Sequence, residues 1–300
     1  MTAPVSYPLG APVLTGNTLT VDTALKQPGR ITKRIADLTL QKFIVDRIFA
    51  SSGTTVASGA VIFDQATSNQ LYTSRDVERR MPGDEYPIVG APRTAPQVAL
   101  SEDWGGKFWI SDEAVRRNDK VYFDNQTTAL ANTIVRKVNT RAIITLEAAI
   151  AALGGAGVIT GVNWGAVVTG GSSQSNNSLW PAADFAKAQL AADVDELGVV
   201  YDLWLVNPTQ YAALVTVYGA NLGELLRSNS IELFASNRVP AGTAYAVARG
   251  QVGFLDYEQG LATETWREPK TKRQWVQSSV MPIMGVTNPY SIKKFTGLAG

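Results

Sequence analysis

The segment from Tyr122 to Leu153 constrains the fold most, because it has the apolar pattern of one uninterrupted helix. Apolar residues recur there at intervals of four: Leu130, Ile134, Val138, Ala142, Leu146 and Ile150. Arg136, Lys137 and Arg141 fall off that line, so the pattern is amphipathic. At about 1.5 Å per residue, such a helix approaches 50 Å in length. A small globular domain does not need a helix of that length, so we expect an element that spans the subunit.

The segments before this helix predict an amphipathic helix followed by a long β-hairpin. Residues 31–51 place apolar side chains at helical spacing, with a break near Thr39. Residues 59–68 and 95–103 have the composition of two strands, and the connection between them is charged and broken by Pro and Gly. A connection of that length in a compact domain is usually functional or disordered. The flanking strands favour a projecting two-stranded loop.

The segments after the long helix predict a second α/β region that ends in strands. A stretch rich in Gly and Ser, 154–177, is expected to be a flexible connection. It is followed by a helix over 182–197, a buried strand over 201–207 and a helix with Pro208 in its first turn. Residues 221–230 are expected to form a loop, and the remainder alternates as half-buried antiparallel strands do. Together these segments indicate an α+β fold class.

Composition excludes several kinds of catalytic and binding site. The chain contains no cysteine and no histidine, which rules out disulfides, thiolate zinc sites, cysteine nucleophiles and histidine-based catalysis. The formal net charge is +1, so the basic excess of strong nucleic-acid binders is missing. The sequence has no apolar run of about 18 residues. Its N-terminus also lacks the basic and apolar blocks of a signal peptide. These features predict a cytoplasmic protein without a membrane span.

Motifs that would indicate an enzyme are weak. The near-match to a dinucleotide-binding loop at Gly155–Gly161 follows a helix, whereas that fingerprint follows a strand, so we interpret it as a helix end. Asp193, Asp195 and Glu196 are close in sequence, but the first two diverge by about 200° on a helix, which favours a solvated helix end over a cation site. We therefore expect no catalytic residue, no cofactor and no metal site, and hence no enzyme.

Charged side chains between the two hairpin strands are the best candidates for a binding function. Arginines and acids are interleaved there: Arg75, Asp76, Glu78, Arg79, Arg80, Asp84, Glu85 and Arg93. In an ordinary solvated hairpin, exposed pairs of this kind contribute under about 1 kcal/mol each. In a docking element, mixed charges instead fix register and partner choice. The projecting loop, the long helix and an extended arm over residues 1–30, which are poor in large apolar side chains, favour docking.

The order of these parts resembles the major capsid proteins of tailed bacteriophages, which have the Hong Kong 97-type fold. The resemblance extends from about Arg30 to Leu298 and rests on linked segments rather than on one motif. GAVIFDQ, RRMPGDEYPIVG and KFWISDEAVRRND are similar to the family's extended loop and its return into a spine helix. LWLVNPTQYAAL resembles the strand–Asn-Pro–helix element of its axial domain. VPAGTAYAVARGQVGF and GVTNPYSIKKFTGL resemble the strands that close the subunit.

The resemblance implies a domain organisation and a function. The implied parts are an N-terminal arm (1–30), an extended loop (52–106), an axial domain (156–255) and a peripheral domain in three pieces (31–51, 107–155 with the spine helix, and 256–300). The implied function is self-association as hexamers and pentamers into an icosahedral shell around double-stranded DNA. Such a protein is assembled in the host bacterial cytoplasm and resides in the virion capsid.

The resemblance also implies where subunits and other partners meet. Extended-loop contacts to a neighbouring copy are assigned to Arg75, Arg79, Arg80, Asp84, Glu85 and Arg93. The segment nearest the ring axis is assigned to Asn221, Glu224, Arg227 and Asn229. A separate scaffold, a portal, decoration proteins and non-specifically contacted DNA are further implied partners. One form of this family crosslinks its shell through a loop lysine. Residues 52–106 contain no lysine, so that crosslink is not expected here.

Three other interpretations remain open from the sequence. An encapsulin has the same fold but encloses enzyme cargo. A carboxylate-based hydrolase with an elaborated loop, or a monomeric surface-binding module, has no shell at all. Particle size separates the last two from a shell protein, and a genome neighbourhood with portal and terminase genes separates a capsid from an encapsulin.

Overall fold

A computed structural model describes residues 20–39, 44–51, 56–67, 73, 75–90, 94–196 and 198–299. The elements of the N-terminal half are α1 (Val21–Lys26), α2 (Pro28–Thr39), α3 (Val45–Ile48), β1 (Ala60–Phe63), β2 (Gln97–Leu100), β3 (Trp104–Ser111), α4 (Asp112–Arg116) and α5 (Lys120–Ala152). Those of the C-terminal half are β4 (Val158–Thr160), α6 (Pro181–Val194), β5 (Leu203–Val206), α7 (Pro208–Tyr218), α8 (Leu222–Ser228), β6 (Glu232–Ala235), β7 (Ala244–Val247), β8 (Gly253–Glu268), β9 (Arg273–Val286) and β10 (Ile292–Thr296).

Helix α5 confirms the long helix expected from the sequence. It has 33 residues, which corresponds to about 50 Å. The predicted apolar line is buried from Ile134 onward, since Ile134, Val138, Leu146 and Ile150 are each at most 3% exposed, while Leu130 is partly buried. Helix α2 is described up to Thr39, and residues 40–43 lie outside the described residues, so the break near Thr39 stays a prediction.

The chain divides into two compact units. The first draws on the chain up to Phe43, on Ser101–Val138 and on Tyr257–Pro282. The second consists of Ile44–Leu100, Asn139–Asp256 and Ile283–Gly300.

The first unit is built on a sheet with the strand order β3-β9-β8. Its apolar face packs against helices, and the buried cluster there contains Val21, Leu25, Ile31, Ile35, Phe108, Ile110, Phe123 and Val276. Ser111 ends β3 and caps α4 by accepting a hydrogen bond from the Ala114 N–H. On the sheet's other face, Trp109 pairs with Trp275 across the strands.

The described end of the expected arm is helical rather than extended. The hydroxyl of Thr20 accepts from the Thr23 N–H and begins α1, which lies within the 1–30 segment. Val21, Ala24 and Leu25 recur at positions i, i+3 and i+4, so one face of α1 is buried in the first unit's core. Three apolar residues suffice to hold α1 in place because they join a core that other segments build. The small number of large apolar side chains in residues 1–30 therefore did not predict this helix.

An ion pair in the first unit joins β8 to the start of α4. The Arg267 guanidinium donates to the Asp112 carboxylate, with Nε–Oδ2 3.1 Å and Nη2–Oδ2 2.5 Å. These bonds, more than the charge attraction alone, hold the pKa of Asp112 below its ordinary value of 3.8, although burial of the carboxyl opposes the shift. The pair therefore stabilises the fold where Asp112 is ionised, and this contribution is lost as the pH falls through the lowered pKa.

The second unit is built on a mixed sheet with the strand order β4-β10-β7-β5-β6. Strands β5 and β6 run parallel, as do β4 and β10, whereas β7 is antiparallel to both of its neighbours. Every residue of β5 and β7 is buried, which explains their unbroken apolar sequences. The main buried cluster contains Trp164, Phe185, Trp204, Leu214 and Phe295.

Two sequence interpretations of this region were wrong. Residues 256–300 were assigned to the peripheral domain, but β10 lies in the second unit's sheet between β4 and β7. The alternating pattern of a strand is the same whichever sheet it joins, so the pattern alone did not decide this. The connection 154–177 contains β4 and the fully buried Trp164, so it is not simply a flexible linker.

Candidate assembly surfaces

The β1–β2 hairpin has one face on the second unit and one apolar face that is exposed. Strands β1 and β2 pair antiparallel as predicted, with Ile62 opposite Val98. On the inner face, Phe63 meets the ring of Phe254 edge to face at 5.3 Å between centroids. On the outer face, Ile62, Val98 and Leu100 are 71%, 57% and 66% exposed. A contiguous exposed apolar face of this kind indicates a binding surface.

The connection between β1 and β2 exposes further apolar side chains. Residues 75–90 contain no helix or strand. Val77, Met81, Tyr86 and Ile88 are 77%, 72%, 71% and 96% exposed there. This segment therefore offers apolar as well as charged side chains to a partner.

The predicted contact residues of the loop fall into two groups. Arg75 pairs with Glu78 at 2.7 Å, and Arg80 lies over the Tyr86 ring at 5.0 Å while it donates to the backbone carbonyl of Asp84 at 3.1 Å. These contacts shape the loop from within. The side chains of Arg79, Asp84 and Glu85 are exposed and make no ion pair with another described residue; Arg93 lies outside the described residues.

The segment predicted to lie at the ring axis is a helix and not a loop. A 3-10 turn at Gly219–Asn221 leads directly into α8. Leu222, Leu225 and Leu226 pack against the main cluster of the second unit, and this docking stabilises a helix too short to stand alone. The four predicted residues are exposed on it: Asn221, Glu224, Arg227 and Asn229. Asn229 ends the helix, where its amide donates to the Leu225 carbonyl at 2.8 Å.

Comparison with known proteins decides the family. A sequence model described as "Phage capsid protein" matches residues 95–295, about two thirds of the chain. The chain belongs to this family of phage capsid proteins.

The solved structures that resemble this capsid protein include phage capsids and a virus-like particle. The capsid of the cyanophage P-SCSP1u is 16% identical, with a TM-score of 0.55, over 87% of this chain and 89% of that one. The mature capsid of bacteriophage PhiM1 is 11% identical, with a TM-score of 0.53, over 84% and 85%. A virus-like particle from Pyrococcus furiosus is 12% identical, with a TM-score of 0.58, over 89% and 98%. No curated protein sequence matches the chain.

These comparisons confirm the fold expected from the sequence. The capsid protein has the α+β Hong Kong 97-type fold, and the resemblance to the major capsid proteins of tailed phages is confirmed. It is a structural protein of an icosahedral bacteriophage capsid.

The Asn207–Pro208 junction of the capsid protein has a structural role in the described chain. The Asn207 side chain accepts from the Thr209 N–H at 3.0 Å and donates to the Val239 carbonyl at 2.7 Å. It thereby caps α7 and ties the end of β5 to a neighbouring turn, while Pro208 begins the helix without wasting a backbone donor. The buried strand and the helix with Pro208 in its first turn were both predicted correctly.

Ionisable side chains of the capsid protein are used in pairs that join elements. The hydroxyl of Tyr245 donates to Glu147, whose carboxylate also binds Lys294 at 2.7 Å, and burial raises the pKa of Tyr245. Lys293 is 2% exposed and donates to the Ala156 carbonyl at 2.9 Å and to Asp195 at 3.1 Å.

No group of three or more acidic side chains among the described residues is arranged to hold a metal ion. No helix in the same part of the chain is long and apolar enough to cross a membrane.

Sequence reasoning did not identify the outer side of α7 as a possible assembly surface of the capsid protein. Tyr211 and Val215 are 40% and 43% exposed there, although no charged residue occurs between Asp202 and Glu224. A scan for charge-free stretches across a predicted surface helix would have found it.

Proposed function

We propose that this capsid protein self-associates into five- and six-membered rings, which close into the shell around double-stranded DNA. The exposed apolar face of the β1–β2 hairpin carries the proposal, because a contiguous exposed apolar face marks a contact with another protein. Membership in a capsid family supports a second copy of the chain as that partner. Assembly takes place in the host bacterial cytoplasm.

The extended loop is the proposed contact with a neighbouring copy in the shell. Ile62, Val98 and Leu100 supply buried apolar area on docking, which is the main source of affinity. Arg79, Asp84 and Glu85 supply charges that no described residue neutralises, and these fix the register of docking. Arg75 and Arg80 act by holding the loop in shape. The loop has no lysine, so docking rather than a loop-lysine crosslink secures it.

The exposed surface of α8 is the proposed segment nearest the ring axis. Glu224 and Arg227 face solvent on it and form no ion pair with another described residue, so both charges are available to adjacent copies. With a net charge of +1, the chain contacts packaged DNA weakly and non-specifically. A separate scaffold, a portal and decoration proteins complete the proposed set of partners.

Sedimentation of the purified chain, with negative-stain imaging of the fast fraction, tests the shell. Closed particles or rings of five and six copies are expected. A monomer at every concentration, which persists after the other structural proteins of the phage lysate are added, contradicts the proposal. The same result is what the hydrolase and the monomeric module predict. Particles from infected cells that contain protein cargo and no DNA would instead favour an encapsulin-type shell.

Charge reversal in the loop tests the docking contact. The variant Arg79→Glu/Arg80→Glu is expected to lower particle yield by about tenfold, since like charges at an interface repel. Thermal unfolding of the free subunit should change little, because both side chains are exposed. Particle yield is measured by sedimentation, and Lys33→Glu, an exposed lysine on α2, is the charge control. Arg79→Glu alone separates docking from loop shape, because only Arg80 contacts Tyr86. Normal yield from both loop variants would remove the case for docking.

A further inference from the structure

Helix α7 has the composition of a buried helix but lies at the surface of the isolated subunit. Tyr211 and Val215, one turn apart, are 40% and 43% exposed, and Thr209, Ala212 and Thr216 are exposed beside them. A surface helix ordinarily carries charged residues on its outer face, and α7 carries none. Interface cores, by contrast, are depleted of charge and enriched in aromatic residues. The outer face of α7 therefore has the chemistry of a surface that assembly covers.

Helix α6 exposes a second apolar face. Leu190 and Val194, also one turn apart, are 62% and 72% exposed, and Val200 just beyond the helix is 56% exposed. Asp193 lies exposed at the rim of this face, where its carboxylate accepts from the side chain of Gln189 at 2.8 Å. Each helix therefore has two apolar side chains spaced four residues apart, which form a ridge on its surface. Ridges of this kind pack into the grooves of another helix.

The two faces belong to the same layer of the second unit. Phe185 and Ala188 of α6 and Leu214 of α7 enter one buried cluster. The backbone N–H of Ala182 also donates to the Tyr218 hydroxyl at 2.9 Å, which fixes the start of α6 against the end of α7. Because the inner sides of both helices are used within the chain, their outer sides are available to different neighbours.

We propose that the α7 face of one copy packs against the α6 face of the next copy around each ring. This inference rests on the ring assembly proposed above. A closed ring requires two different, complementary patches on every subunit, and these two helices supply such a pair. Charge favours the same pairing. Arg227 lies on α8, which follows α7 after the 3-10 turn at Gly219–Asn221, and forms no ion pair with another described residue. Asp193, of opposite charge, borders the α6 face.

Engineered disulfides test the pairing directly, because the chain contains no cysteine of its own. In Val194→Cys/Val215→Cys particles, oxidation is expected to link copies head to tail. A non-reducing denaturing gel should then show a ladder that ends at five and six copies. A disulfide requires the two Cα atoms to lie within about 7 Å, so a ladder reports close packing. Val194→Cys and Val215→Cys as single variants should both remain monomeric on the gel.

Each alternative result has a distinct meaning. Normal particles without a ladder would overturn the α6–α7 contact and leave the shell proposal intact. Dimers from Val215→Cys alone would also overturn it, because they indicate a two-fold contact between α7 helices. Absence of particles from the unmodified chain, even with its lysate partners, would count against ring assembly itself and against the inference with it.

A charge placed at the centre of the α7 face provides a second test. Val215→Lys is expected to lower particle yield by about tenfold or more, because an unpaired charge is costly in an apolar interface. The matched control is Val168→Lys, since both valines are 43% exposed in the isolated subunit. Thermal unfolding of both free variants should resemble that of the unmodified chain. Equal particle yields from the two variants would overturn the proposal.

Discussion

Replacing Asp184 by alanine should destabilise the second unit by about 3 kcal/mol, because it removes a buried charge that three donors share. Asp184 is 0% exposed. Its Oδ2 accepts from the Val162 N–H at 2.9 Å and from the Trp164 indole N–H at 2.8 Å. Its Oδ1 accepts from the Lys187 ammonium at 3.0 Å. The alanine variant leaves the buried Trp164 indole N–H and the partly buried Val162 N–H without this partner, and the cost of these unmet hydrogen bonds dominates the effect.

Denaturant unfolding of the unassembled subunit measures the loss. Trp164 and Trp204 lie together in the main cluster of the second unit, so their fluorescence reports its unfolding. Asp193→Ala is the matched control, because Asp193 lies on the same helix but is exposed. We expect the control to change the free energy of unfolding by less than about 0.5 kcal/mol. Equal unfolding midpoints for the two variants would mean that Asp184 does not hold the segment at Trp164 in place.

The Asp184 contacts also show a feature of the fold that the sequence did not predict. The Gly- and Ser-rich composition of 154–177 indicated a flexible connection, yet Trp164 is anchored by a carboxylate twenty positions further on. A single hydrogen bond over that separation leaves no periodic signal in the sequence. By contrast, the Ser111 and Asn207 caps were predictable, because capping acts within three residues of the helix start.

The candidate surfaces also include parts that the sequence predicts and parts that it does not. Helix α5 and the β1–β2 hairpin follow from spacing alone, since each has a repeated apolar pattern. Helix α8 was wrongly expected to be a loop, because its seven residues depend on packing rather than on intrinsic propensity. The charge-free stretch of α7 was visible in the sequence, whereas the apolar outer face of the hairpin could not be recognised before the fold assigned an inner and an outer side.

Replacing Gly253 by alanine should destabilise the second unit by about 3 kcal/mol, because the added methyl group has no space. A Cβ at this position would lie 2.0 Å from the Gly285 carbonyl oxygen and 2.9 Å from the Val286 Cα. These are backbone atoms, so relief requires β8 and β9 to move apart. A Cβ at Gly285 would likewise meet the ring of Phe254 at 2.5 Å, so the two glycines permit one close approach.

The matched control lies in the same strand. A Cβ at Gly260 of β8 would meet no atom within 4 Å. Gly260→Ala should therefore leave the stability unchanged or raise it by up to about 1 kcal/mol, because alanine lowers the backbone entropy of the unfolded chain. Thermal unfolding of both variants as free subunits measures the difference. Equal unfolding temperatures would show that β8 and β9 can separate at Gly253 without loss of stability.

Gly253→Ala should affect assembly of the shell as well as stability of the subunit. Phe254, next to Gly253, packs against Phe63 of β1 and so seats the inner face of the hairpin on the second unit. If β8 moves to accommodate a methyl group, the hairpin moves with it, and its exposed Ile62 is displaced relative to a neighbouring copy. Gly253→Ala should therefore lower particle yield even at temperatures where the free subunit remains folded, whereas Gly260→Ala should not. A folded Gly253→Ala subunit that assembles normally would mean that the position of the hairpin does not limit assembly.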